Sequence, residues 1–452
     1  MRPSYFSTLL LPSVVRVRIA IPRHCSMALF SASSSSSSGS AFLQKSLAPA
    51  LSPSWEEGAP FARAFVPSLT RDMHKGSAGR VAVMGGSKEY TGAPFYAATT
   101  ALKAGADLAF ILCAEEAATP IKCYGPELMV VPVYSSLEFS RFDGNLGRAS
   151  SSKTSVSMAI PGEAETLLQD SFAKVKEALD RAHTLLLGPG FGRQPLALEL
   201  AARTIGYALH QRRMPVVIDA DGLFLVTERP DVIVSAGSSS DATDTRSNLL
   251  LTPNAAEFRR LRDALLYKGN RNACTGHEGE VEASEAKMNV DEQLKAMSNN
   301  LGGAVILLKG AVDTVSDGHR ILRMVHENGS PRRCGGQGDI TSGAAAIFLH
   351  WALQINSSSR TKNVEVWRRH AAPKRLPEEC QSNTTHPALA DCNGAMWAAW
   401  AAAALTKRCA AQAFGKHRRS TTAPDLIEEI RTVGDFMFPL VEETEVGTSG
   451  EI

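Results

Sequence analysis

The eight cysteines of this 452-residue chain, at 25, 113, 123, 274, 334, 380, 392 and 409, include no C-x-x-C pair. Their scatter argues against a structural zinc site and a disulfide scaffold, and it suits a reducing compartment. No apolar run approaches the roughly 20 residues that cross a bilayer. The richest, from Ala395 to Leu405, is short and alanine-rich around Trp397 and Trp400, the composition of a buried helix. Excess positive charge is missing too. The first 55 residues hold five basic side chains (Arg2, Arg16, Arg18, Arg23, Lys45) and no acid, leaving 43 basic against 46 acidic residues in the remainder. A mildly acidic body lacks the electrostatic footprint of a nucleic-acid binder, so any anion must be held in a local pocket. Two nucleotide signatures are absent. Gly415-Lys416 is followed by His417, not by the Ser or Thr of a Walker A, and Gly188-Pro189-Gly190-Phe191-Gly192-Arg193 fails to complete G-x-G-x-x-G.

What is present begins with a leader. Residues 1–48 are rich in Arg, Ser and small apolar residues, with a low-complexity run from Ser31 to Ser40. That composition is expected of a targeting segment. We expect a leader over 1–60 directing mitochondrial import, with plastid and cytoplasm as alternatives and Met27 as an alternative start. The catalytic domain is expected over 61–445.

Along that body short apolar runs alternate with helical stretches. Arg80–Met84, Leu108–Cys113, Thr184–Leu187, Pro215–Ile218, Leu249–Leu251 and Ala304–Leu308 have the continuous apolar character of strands buried on both faces. Ala97–Ala104, Ala164–Ala182, Pro195–Gln211, Ala256–Leu266 and Ile340–Leu353 have helical composition. The alternation predicts an α/β fold with a mostly parallel central sheet covered by helices on both faces, its ligands beyond the carboxyl ends of the strands. Polar stretches near 136–162, 235–248, 268–295 and 354–394 are expected to be surface insertions.

Glycines and acids cluster at those strand ends. Gly335-Gly336-Gln337-Gly338-Asp339 precedes a helix, where converging backbone N–H groups and the helix N-terminus suit a transferring phosphoryl group and Asp339 could accept a hydroxyl proton. A plain loop with Asp339 as N-cap explains the same residues. Lys309-Gly310 after the strand 304–308 could reach phosphates or simply open a solvated hairpin. Asp219-Ala220-Asp221-Gly222 offers two carboxylates for Mg²⁺ contacts or for capping. Asn254 and Glu257 fit a capping box, which is sufficient to explain them without excluding a ligand.

Taken in order, His74-Lys75-Gly76, Val83–Ser87 with Tyr90–Pro94, Gly188–Gly192, Asp219–Gly222, Thr252–Asn254 with Glu257-Phe258, Lys309-Gly310 and Gly335–Asp339 resemble the ATP/ADP-dependent (S)-NAD(P)H-hydrate dehydratases, a ribokinase-like family. Lys416–Ser420 with Thr421-Thr422 resembles the eukaryotic branch. The resemblance implies a ribokinase-like fold, ATP (or ADP) as phosphoryl donor with Mg²⁺, and hydrated NADH or NADPH as substrate. It implies that Lys309, Gly310, Ala311, Val312, Asp313 and Gly329, Ser330, Pro331, Arg332, Arg333, Cys334, Gly335, Gly336, Gln337, Gly338 hold the nucleotide. Gly192, Asn254, Ala255, Ala256, Glu257, Phe258, Arg259, Arg260 and Asp339 would face the hydrated cofactor, with Asp339 as base. No metal ligands can be named. A separate epimerase partner is expected, and a homo-oligomer by analogy. A vitamin-precursor kinase and a non-catalytic nucleotide-binding regulator are the rival readings.

Overall fold

The computed structural model describes residues 50–71, 73–143, 162–234, 248–267, 288–356 and 387–440. Nine strands form one sheet: β1 Arg80–Met84, β2 Leu108–Ala114, β3 Met129–Tyr134, β4 Thr184–Leu187, β5 Val216–Ile218, β6 Leu249–Leu251, β7 Val305–Leu308, β8 Asp313–Ser316 and β9 Ile321–Met324. Their order is β3-β2-β1-β4-β5-β6-β7-β8-β9. Every pairing from β3 to β7 is parallel, and β7, β8 and β9 are joined antiparallel. The six strands expected from the sequence are all present within a residue or so. They were legible because Val81–Met84, Leu185–Leu187, Val216–Ile218 and Val305–Leu307 are wholly buried, as parallel strands roofed on both faces must be.

The principal helices are α1 Trp55–Ala64, α2 Gly92–Lys103, α3 Glu115–Tyr124, α4 Gly162–Asp180, α5 Pro195–Gly206, α6 Ala220–Glu228, α7 Ala255–Arg262, α8 Val290–Asn300, α9 Gln337–Asn356, α10 Gly394–His417 and α11 Ala423–Met437. The central pair is α9 and α10. Gly343 lets α2 lie against α9, since a Cβ there would stand 2.2 Å from Ala97 O. As expected, the run around Trp397 and Trp400 is a buried helix, α10.

Several boundaries move. Residues 51–60, assigned to the leader from the sequence, belong to the domain. Leu51 exchanges backbone hydrogen bonds with Ile321 and Arg323 at the β9 edge, and α1 opens on a Ser54–Glu57 capping box. Trp55 stacks on Trp400 at 5.4 Å and Phe61 on Trp397 at 4.8 Å. The insertions are narrower than expected as well. Residues 136–140 form a short helix, and α8 begins inside the stretch assigned to 268–295, burying Leu294 and Met297. Residues 387–390 and the start of α10 lie inside 354–394. The parts at 144–161, 235–247, 268–287 and 357–386, and the leader over 1–49, fall outside the described residues.

Candidate active site

In the sheet order the chain reverses direction between β1 and β4, because β2 and β3 lie on one side and β5 to β9 on the other. A crevice at such a switch point, beyond the carboxyl ends of the strands, is where open α/β sheets bind ligands. The loops there are laced together without side chains. Gly86 N–H donates to Pro189 O and Gly190 O, and a Cβ on Gly85 would meet Pro189 O at 2.1 Å. Gly188, at φ +125°, passes so close to Asp219 O that no other residue fits.

The next strand end separates the two carboxylates. Ala220 has φ +47°, a left-handed conformation unusual for a residue with a Cβ. Asp219 on one side of it faces inward, accepting a 2.7 Å hydrogen bond from Lys309 Nζ with only 3% of its side chain exposed. Asp221 on the other side accepts from Gly192 N–H at 2.9 Å and Arg193 Nε at 3.0 Å. Asp219 is thus paired with a cation, and Asp221 does not cap its own helix: it ties down the Gly188–Gly192 loop. Among the described residues no group of three or more His, Cys, Asp or Glu is arranged to hold a metal ion.

Lys309 arrives from the end of β7. Its backbone N–H donates to Pro253 O at 2.8 Å and bridges Asn254, extending the β6–β7 pairing by a step. Lys309 does open a hairpin, as one reading of the sequence has it, but its ammonium is turned inward onto Asp219 and its side chain is only 17% exposed. Gly338 lies close beneath it, where a Cβ would stand 3.3 Å from Lys309 Nζ. The turn that follows is closed by Asp313, which accepts from Gly310 N–H at 2.7 Å. Asp313 is buried and shapes that turn, whereas Gly310, Ala311 and Val312 are exposed.

Asp339 is the third residue of α9, not its N-cap, and among the described residues its carboxylate accepts no hydrogen bond. Burial pushes it up to about 8, helped by the negative charges of Asp219 and Glu257 and opposed by Lys309. Burial also raises Glu257, with Asp219 adding to the effect. For Lys309 burial works against the ammonium, but the surrounding carboxylates of Asp219, Glu257 and Asp339 more than offset it and its pKa is raised. The result is a fixed cation beside a carboxyl group poised near neutral pH, the property wanted of a general base.

The glycine loop before α9 is held from behind. Gly336, at φ +89°, packs on Tyr96 of α2 and Ala423 of α11, where a Cβ would come within 2.8 Å of either. Gly335 faces open space. Arg332 and Arg333 are exposed, Cys334 is half-buried, and the buried Ser330 hydroxyl accepts from Arg332 N–H at 3.0 Å.

On the other flank, Asn254 caps α7 and Glu257 returns the bond at 2.8 Å, the capping box expected. Ala255, Ala256, Arg259 and Arg260 are exposed, whereas the Phe258 side chain, expected to face a ligand, lies in the core at 5% exposure. A helix turn cannot present every consecutive residue to one side, and Phe258 is the one that anchors α7. A cleft of about 270 Å³ has Phe224, Glu257 and Arg260 in its lining. The Arg193 guanidinium lies 4.3 Å over the Phe224 ring, so Gly192 and Glu257 border the same side of the site. The structure thus brings Asp219, Glu257, Lys309, Gly338 and Asp339 together. The sequence reading of Asp219 does not include Lys309 as its partner.

Comparison with known proteins agrees with this geometry. The chain resembles a ribokinase-like superfamily protein from Enterococcus faecalis in fold (TM-score 0.52, 17% identity, covering 88% of this chain and 99% of that one). A family model described as NAD(P)H-hydrate dehydratase matches residues 81–432, a span containing every element of the site. Relatives named ATP-dependent (S)-NAD(P)H-hydrate dehydratase share 37% identity over 82% of this chain and 92% of the relative in Physcomitrium patens, and 38% over 82% and 79% in Ciona intestinalis. A match of that extent, over a sheet whose strand ends carry the whole motif series, makes the chain a member of the NAD(P)H-hydrate dehydratase family.

Proposed function

We propose that this chain uses ATP to dehydrate the S epimer of hydrated NADH and NADPH, restoring the reduced cofactor. The observation that carries the chemistry is the Asp339 carboxyl, unencumbered by hydrogen bonds and raised to about 8, at the mouth of the Gly335–Gly338 loop beside the Lys309 ammonium. Asp339 accepts the proton of the C6 hydroxyl as that oxygen attacks the γ-phosphorus of ATP. The backbone N–H groups of the loop, the N-terminus of α9 and Lys309 take up the charge that develops on the phosphoryl oxygens. The new C6–O–phosphate is a good leaving group. The ring nitrogen lone pair expels it with the C6 oxygen attached, and loss of a proton from C5 restores the double bond.

Hairpin 309–313 and segment 329–338 form the nucleotide side in this reading, and the Gly192, Asn254–Arg260 and Phe224 side receives the dinucleotide. Magnesium would enter as part of the nucleotide complex, held chiefly by the phosphate oxygens and water. Because one epimer is consumed, the other would be supplied through a separate epimerase. The acid-free leader supports mitochondrial import; residues 1–48 fused to a fluorescent reporter should colocalise with mitochondria, and a diffuse cytosolic signal would remove that proposal alone.

The expected result for the purified chain with hydrated NADH, Mg²⁺ and ATP is recovery of reduced-nicotinamide absorbance with one phosphate released per NADH. A vitamin-precursor kinase would instead release a stable phosphorylated product. No recovery with either ATP or ADP from a mixture of both epimers would overturn the assignment.

A further inference from the structure

Thr406, Lys407 and Arg408 are consecutive on α10, so their side chains leave the helix about 100° apart. Each reaches a different neighbouring element, and Lys407 reaches the two segments read as the nucleotide side. Thr406 Oγ1 is hydrogen-bonded at 3.2 Å to Thr341 Oγ1, two residues beyond Asp339 on α9. Lys407 Nζ donates to Ala311 O at 2.6 Å and stands 3.6 Å from Asp313 Oδ2, whose other oxygen accepts from Gly310 N–H. The Lys407 stem runs beneath Gly329, where a Cβ would come 3.4 Å from Lys407 Cγ and where φ is +62°. Arg408 grips Glu327 with Nε at 3.0 Å and Nη2 at 2.5 Å, and its guanidinium lies 5.0 Å over the Trp55 ring and 5.1 Å over Phe436.

A lysine side chain with 4% exposure is an uneconomical way to fill a core. Packing alone does not call for it, since the positions around it on α10 are mostly alanine. What the ammonium adds is a fixed point from which two separate backbone segments are set. It closes the 309–313 turn through Ala311 and Asp313, and it supports the 329 segment through its stem. Its neighbours on either side tie the same helix to α9 and to Glu327.

We propose that Lys407 is a positioning residue for nucleotide: from α10 it holds the Lys309–Asp313 turn and the Gly329 segment in register with the Asp339 helix, without itself touching ATP. The inference rests on the reading of those two segments as the nucleotide side. It assigns Lys407 an effect on the nucleotide and not on the hydrate, because nothing it touches borders the Gly192–Glu257 side.

The test uses the full chain carrying Lys407→Met with Asp313→Asn, which removes the ion pair without leaving a buried carboxylate unpaired. We expect KM for ATP to rise at least about tenfold and KM for the hydrate to stay within about twofold, since uniform loss of binding to one substrate shows in that substrate's KM. Should the double variant not fold, Asp313→Asn alone keeps the Lys407–Ala311 bond and is measured the same way, with a rise of about threefold in KM for ATP. Both KM values unchanged in a folded variant, or both raised together, would overturn the proposal. If the unsubstituted chain itself consumes no hydrate with either nucleotide, the functional reading fails and the positioning role fails with it.

Discussion

Asp339→Asn is expected to lower the hydrate-dependent kcat by about 10²–10⁴-fold, the range for loss of a positioned general base. Its melting temperature and its stabilisation by ATP should stay as they were. The substitution keeps the volume and removes only the capacity to take a proton. No cap is lost, because Asp339 is the third residue of α9 and, among the described residues, its carboxylate accepts no hydrogen bond. The pH profile gives the same base a second signature. A carboxyl raised to about 8 by burial and by Asp219 and Glu257 must lose its proton before it can act. In the unsubstituted enzyme kcat/KM should therefore climb with pH and level off above about 8, and in the Asn variant that limb should be missing. Repair within threefold of the original rate, at unchanged stability, would mean that Asp339 is structural.

Lys309→Met should be the second severe change, and it should act on rate and stability together. The ammonium pairs with Asp219 at 2.7 Å, and the two side chains are 17% and 3% exposed. Removing one partner of a buried pair costs about 3–5 kcal/mol. Losing a preorganised cation at the transferring phosphoryl group costs a further 10²–10³-fold in kcat, roughly the effect of deleting one such donor. The two effects separate in the double variant Lys309→Met with Asp219→Asn, which should recover most of the melting temperature and none of the rate. A solvated hairpin lysine would behave otherwise, changing stability by only about 0.5 kcal/mol. Measured stability and rate both near the original values would return Lys309 to that bland role.

How much of this was legible beforehand follows from where the physical signal lies. The core strands announced themselves because burial on both faces leaves nothing but apolar residues. Strand β3 did not, since Pro132 interrupts it, which an edge position tolerates because no further strand needs its N–H. Strand β8 did not either: Asp-Thr-Val-Ser carries a polar sequence whose carboxylate is spent inside its own turn. Helix α1 was hidden by its place beside the leader and by Pro60 within it, although the Ser54–Glu57 spacing was there to be read.

The site shows the same division. The glycine loop with Asp339 was visible as a motif because it needs glycine at fixed places. The fate of Asp219 and Asp221 was not, because it turns on the left-handed backbone of Ala220, for which alanine gives no cue. Phe258 was counted with its exposed neighbours because a motif runs along the chain whereas a helix alternates its faces. Lys407 gave no signal at all: a lysine inside an alanine-rich helix has meaning only once Ala311 and Asp313 are seen beneath it.

In the proposed reaction the C6 hydroxyl oxygen itself attacks the γ-phosphorus and later departs with the phosphate. Hydrated NADH carrying ¹⁸O at the C6 hydroxyl, converted with unlabelled ATP and analysed by mass spectrometry of the released phosphate, tests it directly. The expected result is one ¹⁸O in each phosphate released and none in water. Label appearing in water, with unlabelled phosphate, would show that ATP hydrolysis and dehydration are separate events and that Asp339 does not deliver the substrate oxygen to phosphorus.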